Sequence, residues 1–408
     1  MILTPTQMAA HAVAPSSQRQ LDLVEWGSLD VSLSSTEIAE LLRCPSKVFQ
    51  IQTLPGGMCR LQCGPVVGRL QFGTVDVRIL PKYPMPSLLA MLAEVHELAQ
   101  LTPQLVGYDT SPEVVDLLVQ IFLGQVERVV RQGLRRTYIE EDEELVAVRG
   151  RIDLRRTVDL HLRGKAKAQC RYEDFTLDGP ENGTLLAALR AITAARMLPV
   201  VRRNVGHRAA AEFVGVRPRF QRGADPVAFD RLNQHYHPAL QLAQLILECM
   251  GVTQDFGMTE ADGFMLNMNQ LFERFVERRL RKLLTVDGIQ VRAQKQSSFD
   301  VLKQSAIQPD LLIQSRHGQR VVADTKYKVG TKPDPSDLYQ MLTYCRVLNI
   351  ANGVLFTVGT GQLRRYEVLD GVTTIEVIPV DLDGTVSDID KSLLILASRV
   401  TELLTDAT

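Results

Sequence analysis

The sequence contains no run of the roughly 20 apolar residues that a helix needs to cross a bilayer. The first 20 residues lack the basic start and continuous apolar core of a secretion signal, which predicts a loose leader over residues 1–20. The chain also lacks Gly-x-x-x-x-Gly-Lys-Ser/Thr, the phosphate-binding loop of nucleotide-driven motors. These absences exclude a membrane protein and a P-loop motor. We expect a soluble, cytoplasmic protein whose energy source, if any, is another chain.

Cysteine is scarce and scattered, with six residues in a chain of 408. Cys59 and Cys63 are spaced as half of a zinc site, but no second pair and no His-x-x-x-His completes it. We therefore expect no zinc and reduced, buried thiols, which suit a cytosolic protein. The formal net charge is −1, so binding to nucleic acid must come from local basic surfaces.

Two apolar segments in the C-terminal half carry acids and are separated by a short polar break. Residues 308–313 and 321–326 alternate as strands do, which predicts a hairpin. A turn centred between them places Asp310 directly across from Asp324, and cross-strand Cβ atoms on one face lie roughly 5 Å apart. Lys326 is two residues beyond Asp324 and therefore lies on the same face.

This predicted cluster has the chemistry of a nuclease site. An aspartate within an apolar strand is disfavoured, so two facing aspartates need a cation or a network of donors. One interpretation is a divalent cation, Mg²⁺ or Mn²⁺, held by Asp310 and Asp324 beside the Lys326 ammonium group, which is the equipment for hydrolysing a phosphodiester. The alternative interpretation is a structural ion pair with Lys326 and no metal.

Further polar side chains are predicted near the hairpin. A helix over 269–284 places Glu273 beside the apolar stripe, either as another acid for the metal or as an ordinary edge residue. A helix over 336–348 carries Asp337, Gln340 and Tyr344 on one face. Gln340 and Tyr344 either support the hairpin or a DNA phosphate, or they make an ordinary contact between helix and sheet.

The pattern of elements divides the chain after the leader into three parts. Residues 21–85 read as a small β-rich module, and residues 86–257 as a helical and strand region in which the acidic run 140–144 is expected in an exposed loop. Residues 258–408 read as the nuclease domain. The remaining predicted elements of that domain are strands over 288–293, 353–358 and 373–380 and a closing helix over 388–404. The fold class is α/β in the core and mixed α+β overall, because helices enclose a mixed sheet.

Arginine is concentrated between residues 185 and 222, where Glu212 is the single acid. Such a segment is either a solvated face or a surface for DNA phosphates or an acidic partner. The predicted DNA contacts are Arg190, Arg196, Arg202, Arg203, Arg208 and, after the hairpin, Lys328.

The C-terminal pattern resembles the PD-(D/E)xK nuclease superfamily. The resemblance is carried by Pro309-Asp310, Asp324-Thr325-Lys326, the upstream Glu273 and the downstream Gln340-x-x-x-Tyr344. With the segments 67–82, 149–153, 170–182 and 269–273 added, the chain from about residue 61 to 358 resembles the McrC family. McrC proteins are the nuclease subunits of McrBC-type, modification-dependent (5-methylcytosine) restriction systems.

The resemblance implies a Mg²⁺-dependent endonuclease acting on modified double-stranded DNA in phage defence. It implies metal ligation by Asp310, Asp324 and the Thr325 carbonyl, with Lys326 orienting or activating the water and Glu273 as a further acid. It also implies a partner, a McrB-like AAA+ GTPase hexamer, in which the region around 149–151 docks and stimulates GTP hydrolysis. Two rival functions stay open: a stand-alone repair or junction nuclease, and a non-catalytic regulator of an AAA+ ring.

Overall fold

The computed structural model describes residues 19–42, 44, 48–98, 113–220, 229–255, 262–285, 287–329 and 332–405. The predicted leader lies outside the described residues except for Arg19 and Gln20, which begin the first strand. No helix in these described ranges is long and apolar enough to span a membrane. All six cysteines are buried, as predicted.

The N-terminal module is rich in short strands, as its sequence predicts. Its elements are β1 (Arg19–Val24), β2 (Ser28–Ser32), α1 (Ser35–Leu41), β3 (Phe49–Thr53), β4 (Met58–Cys63), β5 (Val66–Phe72) and β6 (Val75–Leu80). Strand β6 pairs parallel to β1 and antiparallel to β5, and β2, β4 and β3 form a separate antiparallel sheet. The two sheets enclose a hydrophobic cluster of their own.

Two helices follow, where the spacing of apolar residues predicts them. They are α2 (Met85–Val95) and α3 (Val114–Gln132). The next unit, residues 137–176, contains β7 (Thr137–Leu145), β8 (Arg151–Ile152), α4 (Leu154–Leu162) and β9 (Ala168–Thr176), and we call it the β7–β9 unit. After it come α5 (Pro180–Ala194), α6 (Val200–Ala210) and α7 (His237–Asp255).

The expectation of an exposed loop at 140–144 is wrong, because these acids lie in strand β7. The strand pairs with β9 in a three-stranded sheet, ordered β7-β9-β8. Basic side chains from neighbouring elements neutralise the acids. The ion pairs are Arg171 with Glu140 at 3.2 Å, Arg156 with Asp142 at 2.8 Å and Lys165 with Glu144 at 3.0 Å.

The C-terminal region has the predicted α/β architecture. Its elements are β10 (Asp262–Asn267), α8 (Met268–Thr285), β11 (Gln290–Ala293), β12 (Ser297–Ser298), β13 (Ala306–Ile307), β14 (Leu311–Gln314), β15 (Arg320–Val329), α9 (Pro335–Leu348), β16 (Asn352–Val358), β17 (Arg364–Glu367), β18 (Thr374–Val380) and α10 (Val386–Thr405). Six strands form one sheet in the order β11-β14-β15-β16-β18-β17. Strands β15, β16 and β18 are parallel, and the other pairs are antiparallel.

Helices cover both faces of this sheet. One face packs with α8 and α10 into a large core that also contains apolar side chains of α2, α3, α5 and α7. Helix α9 covers the opposite face through Met341, Tyr344 and Cys345. The helical region and the nuclease-like region therefore share one core.

The structure differs from the domain boundary that we expected near residue 258. Strand β10, which the sequence analysis gave to the C-terminal domain, pairs antiparallel with β5 and completes the sheet of the N-terminal module, in the order β1-β6-β5-β10. Gly68 in β5 has φ +150, and a Cβ there would lie 1.9 Å from the Phe264 carbonyl oxygen. The close approach of these two strands therefore requires glycine.

Candidate active site

The hairpin of β14 and β15 brings the two predicted aspartates together. Leu311 pairs with Ala323, and the same register continued by one residue places Asp310 opposite Asp324. Asp310 lies just before β14, where its Oδ2 accepts hydrogen bonds from the Thr325 backbone N–H and hydroxyl, both at 2.7 Å. These two bonds fix the Asp310 carboxylate against β15.

Asp324 and Lys326 lie on the face of the sheet that α9 covers. Asp324 is 3% exposed, and its Oδ2 lies 2.5 Å from Lys326 Nζ. Within the described residues, the buried Oδ2 has this ion pair and no further hydrogen-bond donor. Burial, and then the charge of Asp310, raise the pKa of Asp324 to about 6. Burial alone would lower the pKa of Lys326, but the surrounding acids Asp324, Asp337 and Asp310 together raise it.

Glu273 reaches the same pocket from helix α8. The pocket has a volume of about 280 Å³ and is lined by Trp26, Asn269, Glu273, Gln308, Asp310, Asp324, Thr325, Lys326, Tyr327, Lys328, Asp337, Gln340 and Tyr344. Glu273 Oε1 accepts a hydrogen bond from Gln294 Nε2 at 2.7 Å. Burial, followed by the charge of Asp310, raises the pKa of Glu273. The charge of Asp310 thus raises the pKa of both Asp324 and Glu273.

Helix α9 contributes the predicted supporting side chains. Gln340 Oε1 accepts a hydrogen bond from Lys326 Nζ at 2.9 Å, and Gln340 Nε2 donates one to the Tyr344 hydroxyl at 2.7 Å. Tyr344 in turn donates to the Gln308 carbonyl at 3.4 Å. Gln340 was predicted to bond either to the hairpin or to a DNA phosphate. In the structure it bonds to the hairpin, through Lys326 on β15.

Lys328 lines the pocket, where acids of the same region surround it. Its Nζ lies 2.8 Å from Asp334 and 3.2 Å from Asp337.

The predicted arginines lie elsewhere, on or near helices α5 and α6. Among them, Arg202 is bound to Asp116 at 2.9 Å and to Gln120 at 2.7 Å. A DNA contact by Arg202 therefore requires these bonds to rearrange.

The residues of the pocket fit a hard divalent cation. In the part of the chain that the structure describes, no three His, Cys, Asp or Glu side chains are arranged to hold an ion by themselves. Mg²⁺ is commonly bound through one or two carboxylates, with water and substrate phosphate completing its shell. Asp310 and Asp324 match this donor set, and a cation would stabilise both ionised carboxylates and the unbonded Asp324 oxygen. The same set does not fit the closed nitrogen and sulfur shell of structural zinc.

Several residues that line the pocket were not predicted as parts of the site, among them Asn269 and Trp26. Asn269 precedes Glu273 by four positions on α8, so helical spacing alone places it on the same face. Asp337, which the helical spacing predicts on the same face of α9 as Gln340, lies one turn before it and is buried. Trp26 comes from the turn between β1 and β2, and no local pattern links that turn to the hairpin.

Fold and pocket together define a class of protein. A mixed sheet between helices carries, at the end of a central hairpin, two aspartates, a lysine and a helix-borne glutamate. The resemblance to the PD-(D/E)xK superfamily predicts this arrangement.

The model of the family described as McrBC 5-methylcytosine restriction system component matches residues 61–356. The chain belongs to this family, and the resemblance to McrC proteins is confirmed.

Among the solved structures that are similar to this chain are two from Thermococcus gammatolerans. One is a refined half-complex from a tetradecameric assembly of Thermococcus gammatolerans McrB AAA+ hexamers with bound McrC, with 19% identity, a TM-score of 0.60 and coverage of 93% of this chain and 100% of that chain. The other is a cryo-EM structure of the Thermococcus gammatolerans McrBC complex, with 20% identity, a TM-score of 0.43 and coverage of 65% and 88%. The first likeness establishes a shared fold. No curated protein sequence matches the chain.

Proposed function

We propose that this chain is the DNA endonuclease subunit of a modification-dependent restriction complex and that it hydrolyses phosphodiester bonds with Mg²⁺ or Mn²⁺. The observation that carries the proposal is the single pocket in which Asp310, Asp324 and Lys326 meet, with Glu273 on its wall. Membership of the McrBC family supports a role in restriction and, with it, modified double-stranded DNA as the substrate.

The pocket residues have separate roles in phosphodiester hydrolysis. Asp310 and Asp324 hold the cation, with the Thr325 carbonyl as a further ligand. When bound, the ion activates water and neutralises charge on the phosphate. Lys326 orients the attacking oxygen and offsets negative charge in the transition state. Gln340 fixes the Lys326 ammonium group through their 2.9 Å bond, while Glu273 acts as an additional acid near the cation.

We propose a McrB-like AAA+ GTPase hexamer as the partner, with the β7–β9 unit as the docking element that stimulates GTP hydrolysis. Exposed apolar side chains are concentrated on this unit, as docking surfaces require. They include Tyr138, Val146, Val148, Leu154, Val158, Leu162 and Phe175. The Arg149 guanidinium group stacks 4.2 Å from the centre of the Tyr172 ring and pairs with Asp174 at 2.7 Å. These two contacts hold the positively charged Arg149 side chain on this surface.

We further propose that Arg190, Arg196, Arg202, Arg203 and Arg208 contact DNA phosphates outside the pocket, with Lys328 nearer to the cleaved bond. Arg190, Arg196 and Arg208 are exposed. Clustered arginine on a surface attracts the phosphate backbone without reading sequence. The complex would act in the cytoplasm, where foreign DNA enters.

The Asp324→Ala variant tests the proposal. Assembled with a McrB-like GTPase, the purified variant should lose DNA cleavage while its circular dichroism spectrum and its stimulation of GTP hydrolysis remain. Asp287→Ala, at an exposed aspartate outside the pocket, is the matched control and should cleave normally. Cleavage by the Asp324→Ala variant would refute the assignment. Cleavage by the wild-type chain without any GTPase would favour the stand-alone nuclease, and stimulation without metal binding would favour the regulator.

A further inference from the structure

One side of the pocket is formed by a residue, Trp26, that neither metal binding nor phosphate hydrolysis requires. Trp26, the single tryptophan of the chain, lines it together with the acids and Lys326. It belongs to the N-terminal module, on the turn between β1 and β2, and it is 41% exposed. A large aromatic side chain thus stands partly open to solvent in a pocket that is otherwise polar and charged.

The backbone of this turn is strained. Trp26 has φ 61, in the left-handed region that bulky residues rarely adopt. The conformation is held by bonds from the Trp26 N–H to the Gly64 carbonyl at 3.3 Å and from the Gly27 N–H to the Val24 carbonyl at 2.8 Å. Strain of this kind persists where surrounding structure over-determines it, and it is concentrated at functional sites.

Glu25, the residue before Trp26, ties the turn to the strand that carries the candidate active site. Its side chain is buried, and Oε1 accepts hydrogen bonds from the Lys82 backbone N–H at 2.8 Å and from the Tyr327 hydroxyl at 2.7 Å. Tyr327 directly follows Lys326 on β15 and packs against Phe272, with ring centroids 5.8 Å apart. The hydrogen bond between Glu25 and Tyr327 fixes the position of Trp26 relative to Lys326, because Glu25 precedes Trp26 in the turn and Tyr327 follows Lys326 on β15.

The Trp26 indole is partly exposed and lies beside the candidate phosphate-cleaving site. The base of the nucleotide next to the cleaved bond is therefore a suitable ligand for it. Every base has a π-face, so stacking on an aromatic side chain binds nucleic acid without selecting sequence. The acids bind the cation and Lys326 binds the phosphate, whereas the apolar surface of Trp26 contacts the base. The two kinds of contact are complementary within one pocket.

We propose that Trp26 stacks on a nucleobase beside the scissile phosphate, so that the N-terminal module is part of the DNA-binding surface of the nuclease. The inference rests on the proposed function, because it takes DNA to be the occupant of the pocket. It assigns to the N-terminal module a direct role at the site of cleavage.

Tryptophan emission gives a direct test, since Trp26 alone produces it. The full-length wild-type chain is titrated with a short unlabelled DNA duplex, with Ca²⁺ in place of Mg²⁺ to prevent hydrolysis. A parallel titration with fluorescein-labelled duplex follows anisotropy and shows where binding saturates. We expect the emission to be quenched along the same saturation curve. Unchanged emission at saturation overturns the proposal, as does a failure of the duplex to bind at all.

Substitutions give the second readout, in the cleavage assay with the GTPase partner. Trp26→Ala should raise KM about tenfold, equivalent to ~1.4 kcal/mol, with kcat little changed, and Trp26→Phe should restore most of the loss. Tyr339→Ala is the control, because Tyr339 is an exposed aromatic residue on α9 that does not line the pocket. A wild-type KM for Trp26→Ala would overturn the proposal.

The two proposals fail in different ways. If emission is quenched on binding but the wild-type complex does not cleave, Trp26 contacts DNA and the nuclease function is wrong. If the complex cleaves, Asp324→Ala abolishes cleavage and Trp26→Ala has no effect, the nuclease stands and the role of Trp26 is refuted.

Discussion

Lys326 lies between an acid that neutralises it and an amide that orients it. Asp324 Oδ2 is 2.5 Å from the ammonium nitrogen, and Gln340 Oε1 is 2.9 Å from it on the side of helix α9. The lysine is mostly buried, so these contacts leave its charged group few alternative positions. Preorganisation of this kind is what electrostatic catalysis requires, because the donor need not reorient during the reaction.

Removing the amide should therefore loosen Lys326 without removing its charge. We expect Gln340→Ala to lower kcat about fivefold, since one hydrogen bond contributes ~1 kcal/mol net, while KM for DNA stays near the wild-type value. Steady-state cleavage by the assembled complex measures both constants. Tyr339→Ala, a substitution at the neighbouring exposed residue, should leave both unchanged. An equal effect of the two substitutions would contradict the positioning role of Gln340.

The residues of the hairpin could be predicted from the sequence because they are close in the chain and share one period. A turn of known centre and the alternation of a strand determine which side chains face each other. Trp26 could not be predicted in this way. Its place in the pocket depends on the Glu25–Tyr327 contact between distant parts of the chain, which no local pattern contains.

Among the elements, strand β7 is the one whose acidic composition led to a wrong prediction, because the run 140–144 forms a strand and not a loop. An acidic run is usually solvated, but here Arg171, Arg156 and Lys165 stand beside it, and the run forms a strand. Helix α1 was missed for a different reason. Its Ser34–Glu37 capping box is present in the sequence, but the helix it begins is only seven residues long.

The tip of the β7–β9 unit depends on Gly150. It has φ +69, and a Cβ there would lie 2.5 Å from the Arg171 carbonyl oxygen, whereas Gly164 has φ +75 and no neighbour within 4 Å. Alanine at either position suffers backbone strain of ~1–2 kcal/mol, but only Gly150→Ala also displaces β9. We expect Gly150→Ala to impair stimulation of the partner GTPase and Gly164→Ala to retain it, as measured by phosphate release at saturating chain concentration. Equal stimulation by the two variants would contradict docking through this unit.

At the scale of the whole molecule, the nuclease-like region is not an independent body. Strand β10 belongs to the N-terminal sheet, and helices α2, α3, α5 and α7 share a core with α8 and α10. Ion pairs reinforce this packing, among them Lys282 with Glu94 at 2.6 Å and Arg278 with Glu97 at 2.8 Å. The sequence predicted the class and order of elements, but domain limits depend on such long-range packing.

A fragment containing residues 262–408 should therefore fail to fold. Without the N-terminal module and the helices that cover α8, it would expose a large apolar surface to water. We expect no cooperative thermal transition by circular dichroism, in contrast to the full chain measured under the same conditions. A sharp transition in the fragment would show that the C-terminal core is self-sufficient.

Asp310 and Asp324 are proposed to bind a divalent cation together, and calorimetric titration of the full-length chain with Mn²⁺ measures this binding. Asp310→Asn and Asp324→Asn preserve the shape of each side chain and remove one negative charge, and Asp287→Asn is the control at an exposed aspartate outside the pocket. We predict saturable binding by the wild-type chain and by the control, and loss of that binding in both pocket variants. Wild-type affinity in the two pocket variants would contradict the account.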